Sequence, residues 1–227
     1  MLYREAYPYI MSVGVELEGG ISEEALDALH DEYERDSHFS CGGDASVSVP
    51  PPNPDVRWIN DVELRYWSSD MDALLGFVEK AFKLGFRQNR TCGNHHHVVF
   101  SNHVLTASLF ATPQVVKLFV KEYVKFAHEM LAKRGTYKYL DRMSNSYCRI
   151  PLDERQIYKA LACCDRYYAI NFSALFEHRT IEIRILPYAE SFQEFKEMHT
   201  WLVSTLNRIA EAAYRRMNRI LSIEVSI

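Results

Sequence analysis

Four short stretches of this chain place charged or imidazole side chains two residues apart. Glu16 and Glu18 alternate with Val15 and Leu17, and Glu63 and Arg65 alternate with Val62 and Leu64. His95 and His97 alternate with His96 and run into Val98 and Phe100; Thr180, Glu182 and Arg184 alternate with Ile181, Ile183 and Ile185. Successive side chains of a strand point to opposite faces, so each stretch offers its functional groups on one face and its apolar residues on the other. Clustered carboxylates resist ionising together unless a cation sits among them. Oxygen-rich sets with some imidazole suit hard ions such as Mg²⁺ or Mn²⁺, and magnesium commonly shares its coordination with substrate phosphates. Arginine matches phosphate oxygens in a fork geometry. Together these residue types point to a nucleotide-phosphate site of the phosphoryl-transfer kind. Singly, each stretch has a plainer reading: a solvated Glu-x-Glu face, cross-strand salt pairing at 180–184, a surface histidine run. The combination is harder to read as surface decoration.

The elements that must position these groups follow from patterning. Strands are expected over 11–18, 56–67, 94–100, 168–172 and 180–186, with 41–49 entering a further strand before Pro50, Pro51, Pro52 and Pro54 impose a stiff connector. Ser22 reads as the N-cap of a helix carrying Ala25, Leu26 and Leu29, and Asp70 or Asp72 as the cap of a helix over 74–84. Further helices are expected over 113–133, 153–164 and 190–219, and the tail 221–227 alternates weakly, as an edge strand would. The strands are half-polar, unlike the continuous apolar strands of a doubly wound parallel sheet. The pattern predicts an α+β fold: a mainly antiparallel sheet with helices packed on one face and chemistry on the other.

The 227 residues suit a single domain spanning 1–227. A formal net charge of -4 disfavours a general nucleic-acid binder, which needs a basic footprint. The five cysteines, Cys41, Cys92, Cys148, Cys163 and Cys164, are odd in number and lack C-x-x-C spacing. That argues against a disulfide framework and points to reduced thiols and a cytoplasmic location. The first twenty residues lack the apolar core of a secretion signal, and no segment is apolar enough to span a membrane.

Read in order, the motifs resemble those of the amidoligase family of glutamine-synthetase-like carboxylate–amine ligases. Gly14-Val15-Glu16-Leu17-Glu18 resembles its G-x-E-x-E strand, Asp44-Ala45-Ser46 its D-x-S motif, and Gly93-Asn94-His95-His96-His97 its G-x-H-x-H motif. Glu63 falls where the family has a strand glutamate; Arg166, Tyr167 and Asn171 resemble the segment before the last motif; Thr180-Ile181-Glu182-Ile183-Arg184 resembles T-[IV]-E-F-R. The resemblance covers residues 14–184 and departs from the pattern at four places. His96 stands between the histidines, Arg179 replaces a glycine, Leu64-Arg65-Tyr66 follows Glu63 where Ser-Pro is usual, and Ile183 replaces Phe.

The resemblance implies a curved antiparallel sheet backed by helices, in the manner of a glutamine-synthetase catalytic domain. It implies ATP as cosubstrate, and two or three Mg²⁺ or Mn²⁺ ions held by Glu16, Glu18, Glu63, His95 and Glu182. Asp44 would join them or accept a proton from the amine, Arg184 with Arg166 or Arg179 would contact phosphate or the substrate carboxylate, and Ser46, His97 and Asn171 would position the site. The implied reaction is amide or isopeptide formation through an acyl phosphate, on a carboxylate and an amine that include peptides, with assembly into homo-oligomers. Three other readings stay open: a guanidino-kinase-type phosphotransferase on the same sheet, a zinc hydrolase using His95, His96, His97 and His103, and a binding protein without catalysis. Trp58, Tyr66 and Trp67 are candidates for an acceptor pocket or for the core.

Overall fold

A computed structural model describes residues 1–33, 35–101, 112–151, 153–162 and 166–224. Its centre is β1 (Ile10–Ser22), a thirteen-residue strand paired antiparallel on both sides. One neighbour is β3 (Trp58–Ser68), with β2 (Phe39–Gly43) beyond it. The other is β4 (Gly93–Phe100), followed by β6 (Ile181–Pro187) and the two-residue β5 (Ile170–Asn171). The order is β2-β3-β1-β4-β6-β5, antiparallel at every join. The α+β class and antiparallel sheet expected from patterning are therefore present.

The caps explain where the helices start. Ser22 Oγ accepts the Ala25 N–H at 3.2 Å, opening α2 (Glu23–Tyr33). Asp70 is the cap that Asp70 or Asp72 had to supply: its Oδ1 accepts the Asp72 and Ala73 N–H groups and opens α3 (Met71–Lys83). Thr112 caps α4 (Pro113–Arg134), Pro113 occupies its first turn, and Gly135 ends it in the left-handed region at φ 67°. The remaining helices are the single turns α1 (Tyr3–Ala6) and α5 (Lys138–Asp141), then α6 (Glu154–Ala162), α7 (Ser173–His178) and α8 (Phe192–Glu224). A 3₁₀ turn, Arg142–Ser144, follows α5.

Val13, Val15 and Leu17 of β1, Leu64 of β3, Val98 of β4 and Ile181, Ile183 and Ile185 of β6 form the buried face. α3 packs there through Phe77, whose ring stacks on Tyr66 at 4.6 Å. α8 brings Phe195, stacked on His96 at 5.6 Å, and α4 brings Tyr123, whose hydroxyl donates to the Ile185 carbonyl at 3.1 Å. Two expectations need correcting. The tail is no edge strand over 221–224, because α8 continues through Glu224; 225–227 lie outside the described residues. The second strand runs over Phe39–Gly43 rather than over 41–49, since Asp44 and Ser46 already form a turn. His103, Cys163 and Cys164 also lie outside the described residues. No helix among the described residues is long and apolar enough to cross a membrane.

Candidate functional site

Register carries the polar side chains of five strands to the open face. Glu16 lies opposite Arg65 of β3 on one side and His95 of β4 on the other, while Glu18 lies opposite Glu63. His97 lies opposite Gly14 of β1 and Glu182 of β6, and Glu182 opposite Asn171 of β5. Opposed residues share a face, so these eight side chains, Glu16, Glu18, Glu63, Arg65, His95, His97, Asn171 and Glu182, converge on one patch. Glu18, Glu63, His95, Asn171, Glu182 and Arg184 are all less than a tenth exposed there.

The tightest part is Glu16, His95 and Glu182, each of which offers one ligand atom within 4.8 Å of the others. His95 Nδ1 stands 3.3 Å from Glu16 Oε2 and 3.5 Å from Glu182 Oε1. Adjacent ligands about 2.1 Å from an octahedral ion stand about 3 Å apart, so a small closure would make these three a coordinating face. The donor set, two carboxylates and one imidazole, is one that Mg²⁺ or Mn²⁺ accepts. Glu182 and His95 are held by further partners. Asn171 Nδ2 donates to Glu182 Oε2 at 2.5 Å, and Arg184 Nη1 donates to Glu182 Oε1. Glu18 Oε2 accepts the Gly93 N–H at 2.5 Å while its Oε1 lies 3.4 Å from His95 Nε2. A proton on Nε2 would then face Glu18 and leave Nδ1 open to a metal, the usual carboxylate–imidazole support of a ligating histidine. Gly93 also makes room for the Arg142 guanidinium, which a Cβ there would displace.

Charge is unevenly shared. Burial alone would raise the Glu16 carboxyl, but the imidazoles of His95 and His97 outweigh it and hold it well below the usual range. Burial and the neighbouring Glu16 charge push Glu63 up to about 7, against the pull of Arg65, with which it is paired. One member of the pair is thus held ionised and the other part-protonated, as expected of like charges crowded together. His97 Nδ1 bonds Thr180 Oγ1 at 3.0 Å, and its Nε2 lies 3.2 Å from Glu16 Oε1 without hydrogen-bond alignment. Burial disfavours the His97 cation, but Glu16 and Glu182 overcome this and raise it.

Two clefts flank the triad. The smaller, about 150 Å³, is lined by Arg142, Arg166 and Arg184 with Glu18, Asp44 and Ser46. Asp44 Oδ1 accepts both the Ser46 N–H and its hydroxyl, at 2.8 and 2.7 Å. Burial would raise Asp44, but these bonds from Ser46 prevail and hold it below the usual carboxylate range. The larger cleft, about 680 Å³, opens beside Glu16 and is walled by His38, Arg65, Trp67, His97 and His178.

The groups expected from the sequence therefore gather on one face, with one exception. Arg179 caps α7 in the left-handed region at φ 58°, exposed, and lines neither cleft. Glu18 and Glu63 reach the patch but are engaged by Gly93 and Arg65 respectively. His96 points to the opposite face, where its Nε2 bonds His199 Nδ1 at 3.2 Å, so three consecutive histidines cannot share one ion. Arg142 was not anticipated. It is buried, its Nη2 donates to the Arg184 carbonyl at 3.2 Å, and it comes from a 3₁₀ turn with no periodicity to mark it. Of the aromatic candidates, Trp67 lines the large cleft. The Tyr66 ring packs in the core, and Trp58 Nε1 donates to the Val49 carbonyl.

Comparison with models of known protein families gives no match, and no curated protein matches the sequence.

Proposed function

We propose that the chain is an ATP-dependent carboxylate–amine ligase of the glutamine-synthetase-like kind, acting with Mg²⁺ or Mn²⁺. The observation that carries this reading is the convergence of Glu16, His95 and Glu182 on the open face of an antiparallel sheet, beside three arginines. An ion held by that triad would supply charge neutralisation for phosphate oxygens. The protein's own groups supply the rest. Arg142, Arg166 and Arg184 form a concave, cationic wall suited to a carboxylate and to the charge that develops on a transferred phosphoryl group. A carboxylate oxygen attacks the γ-phosphorus, the bond to the β-phosphate oxygen breaks and ADP leaves. The amine then attacks the acyl carbon, phosphate departs and an amide remains. Asp44, held as a carboxylate by Ser46 in the arginine cleft, is placed to take the proton the amine loses. Asn171 holds Glu182 in place and is a positioning residue.

The reaction type is testable with panels of acids and amines. Phosphate release from ATP should require both partners, and oxygen-18 in the acid should appear in the released phosphate. A stable phosphorylated product formed without an amine would favour the phosphotransferase reading, and no ATP turnover with any pair would favour a binding protein. The zinc reading is weakened by His96, which is committed to His199 in the core.

A further inference from the structure

The larger cleft differs in chemistry from the arginine cleft, and resting on the ATP-dependent reading above, we propose that it binds the base and ribose of the nucleotide, with the Trp67 indole, braced by His38, as the stacking wall. Size is the first argument. Sites for small organic molecules occupy about 300–1,000 Å³; the cleft of about 680 Å³ falls in that range and the arginine cleft of about 150 Å³ does not. The second is Trp67 itself. It lies on β3, flanked by β1 and β2, yet 50% of its surface is exposed. Its ring is held edge-on by His38, with centroids 4.0 Å apart and planes at 78°, and the Trp67 backbone N–H donates to the His38 carbonyl. A tryptophan so fixed offers an indole face to a ligand at little cost in side-chain freedom.

The floor supports a flat occupant. Gly14 lies opposite both Trp67 and His97. A Cβ at Gly14 would stand 3.3 Å from the Trp67 Cβ and 3.5 Å from the His97 Cβ, so the bare backbone keeps the slot between the two rings open. Polarity supports a nucleoside: Arg65, His38, His97 and His178 bring polar groups to the cleft, and among the described lining residues the one carboxylate is Glu16. Glu16 also belongs to the triad, two residues and about 7 Å along β1 from Gly14. A nucleotide with its base against Trp67 thus reaches the triad with its phosphates. The arginine cleft is left for the small anionic acid.

Calorimetric titrations with Mg²⁺·ATP and Mg²⁺·tripolyphosphate, on wild type, Trp67→Ala and Trp67→Phe, test the assignment. Trp67→Ala should weaken ATP binding about ten- to hundredfold, the scale of one lost base stack, while tripolyphosphate binds as in wild type. Trp67→Phe should recover most of the ATP affinity. Undiminished ATP binding by Trp67→Ala, or equal losses for both ligands, would overturn the base site and leave the ligase reading standing. A wild type that binds neither ligand would overturn both.

Discussion

The carboxylate cluster has a measurable consequence in the metal-free protein: replacing Glu63 by Gln should stabilise it at alkaline pH. Glu63 is 7% exposed and its carboxyl is raised from the usual 4.5 to about 7 by burial and by Glu16. The folded protein therefore holds the Glu63 proton more tightly than the unfolded chain does. That contribution is fully present below about pH 4.5 and is lost as pH rises toward 7. At about 1.4 kcal/mol per pH unit, the rise from 4.5 to about 7 corresponds to about 3 kcal/mol. Urea denaturation of wild type and Glu63→Gln, with a chelator present, at pH 5 and pH 8, reads this group, because Glu16, the carboxyl coupled to it, is held well below that range and stays ionised in both proteins. The variant should gain up to about 3 kcal/mol on wild type between the two pH values. A difference between the proteins that stays within about 0.5 kcal/mol from pH 5 to pH 8 would refute the reasoning.

Other outcomes follow from named contacts. His199 lies fully buried between His96 and Tyr3, and burial pushes its imidazole down to about 3. A base with a lowered folded value contributes stability that is present above about pH 6.5 and lost below it, at about 1.4 kcal/mol per pH unit. His199→Phe should flatten the stability–pH slope between pH 6.5 and 4 by about one proton, read from denaturant midpoints. Asn171→Ala frees Glu182 Oε2 and removes the acceptor of the Ser173 N–H and hydroxyl, so Mn²⁺ affinity should fall about ten- to hundredfold in a protein that stays folded with a lowered melting temperature. Lys138 Nζ lies 2.9 Å from Glu194 Oε1 and both groups are buried. Lys138→Met should cost about 1–3 kcal/mol in urea denaturation, because buried Glu194 loses a cation but keeps Tyr139, the Glu190 N–H and Arg134, and an unchanged stability would show that the pair contributes nothing.

Much of the site was legible because the strands are half-polar. Alternation alone assigned Glu16, Glu63, Arg65, His95, His97, Glu182 and Arg184 to one face; the register agrees for the first six, and Arg184 reaches Glu182 on that face through its side chain. The same parity sends His96 to the core, but the reason a histidine is tolerated there is His199, 103 residues away on α8, which no local pattern could reveal. β2 was placed late because its Gly42–Gly43 end carries no alternation, and β5 was drawn too long because two residues suffice to pair with β6. Arg142 left no trace, since a single 3₁₀ turn has no apolar stripe to orient it. The tail misled because a weak alternation over seven residues competes poorly with a helix that is already nucleated.

The central claim is a metal-dependent nucleotide site at Glu16, His95 and Glu182. It is tested most directly by calorimetric titration of ATP, with and without Mg²⁺, into wild type and Glu16→Gln, with folding of both confirmed by circular dichroism. The account predicts ATP binding by wild type that requires Mg²⁺ and is lost in Glu16→Gln. ATP binding that persists unchanged in the folded variant, or no binding by wild type under any divalent metal, would contradict it.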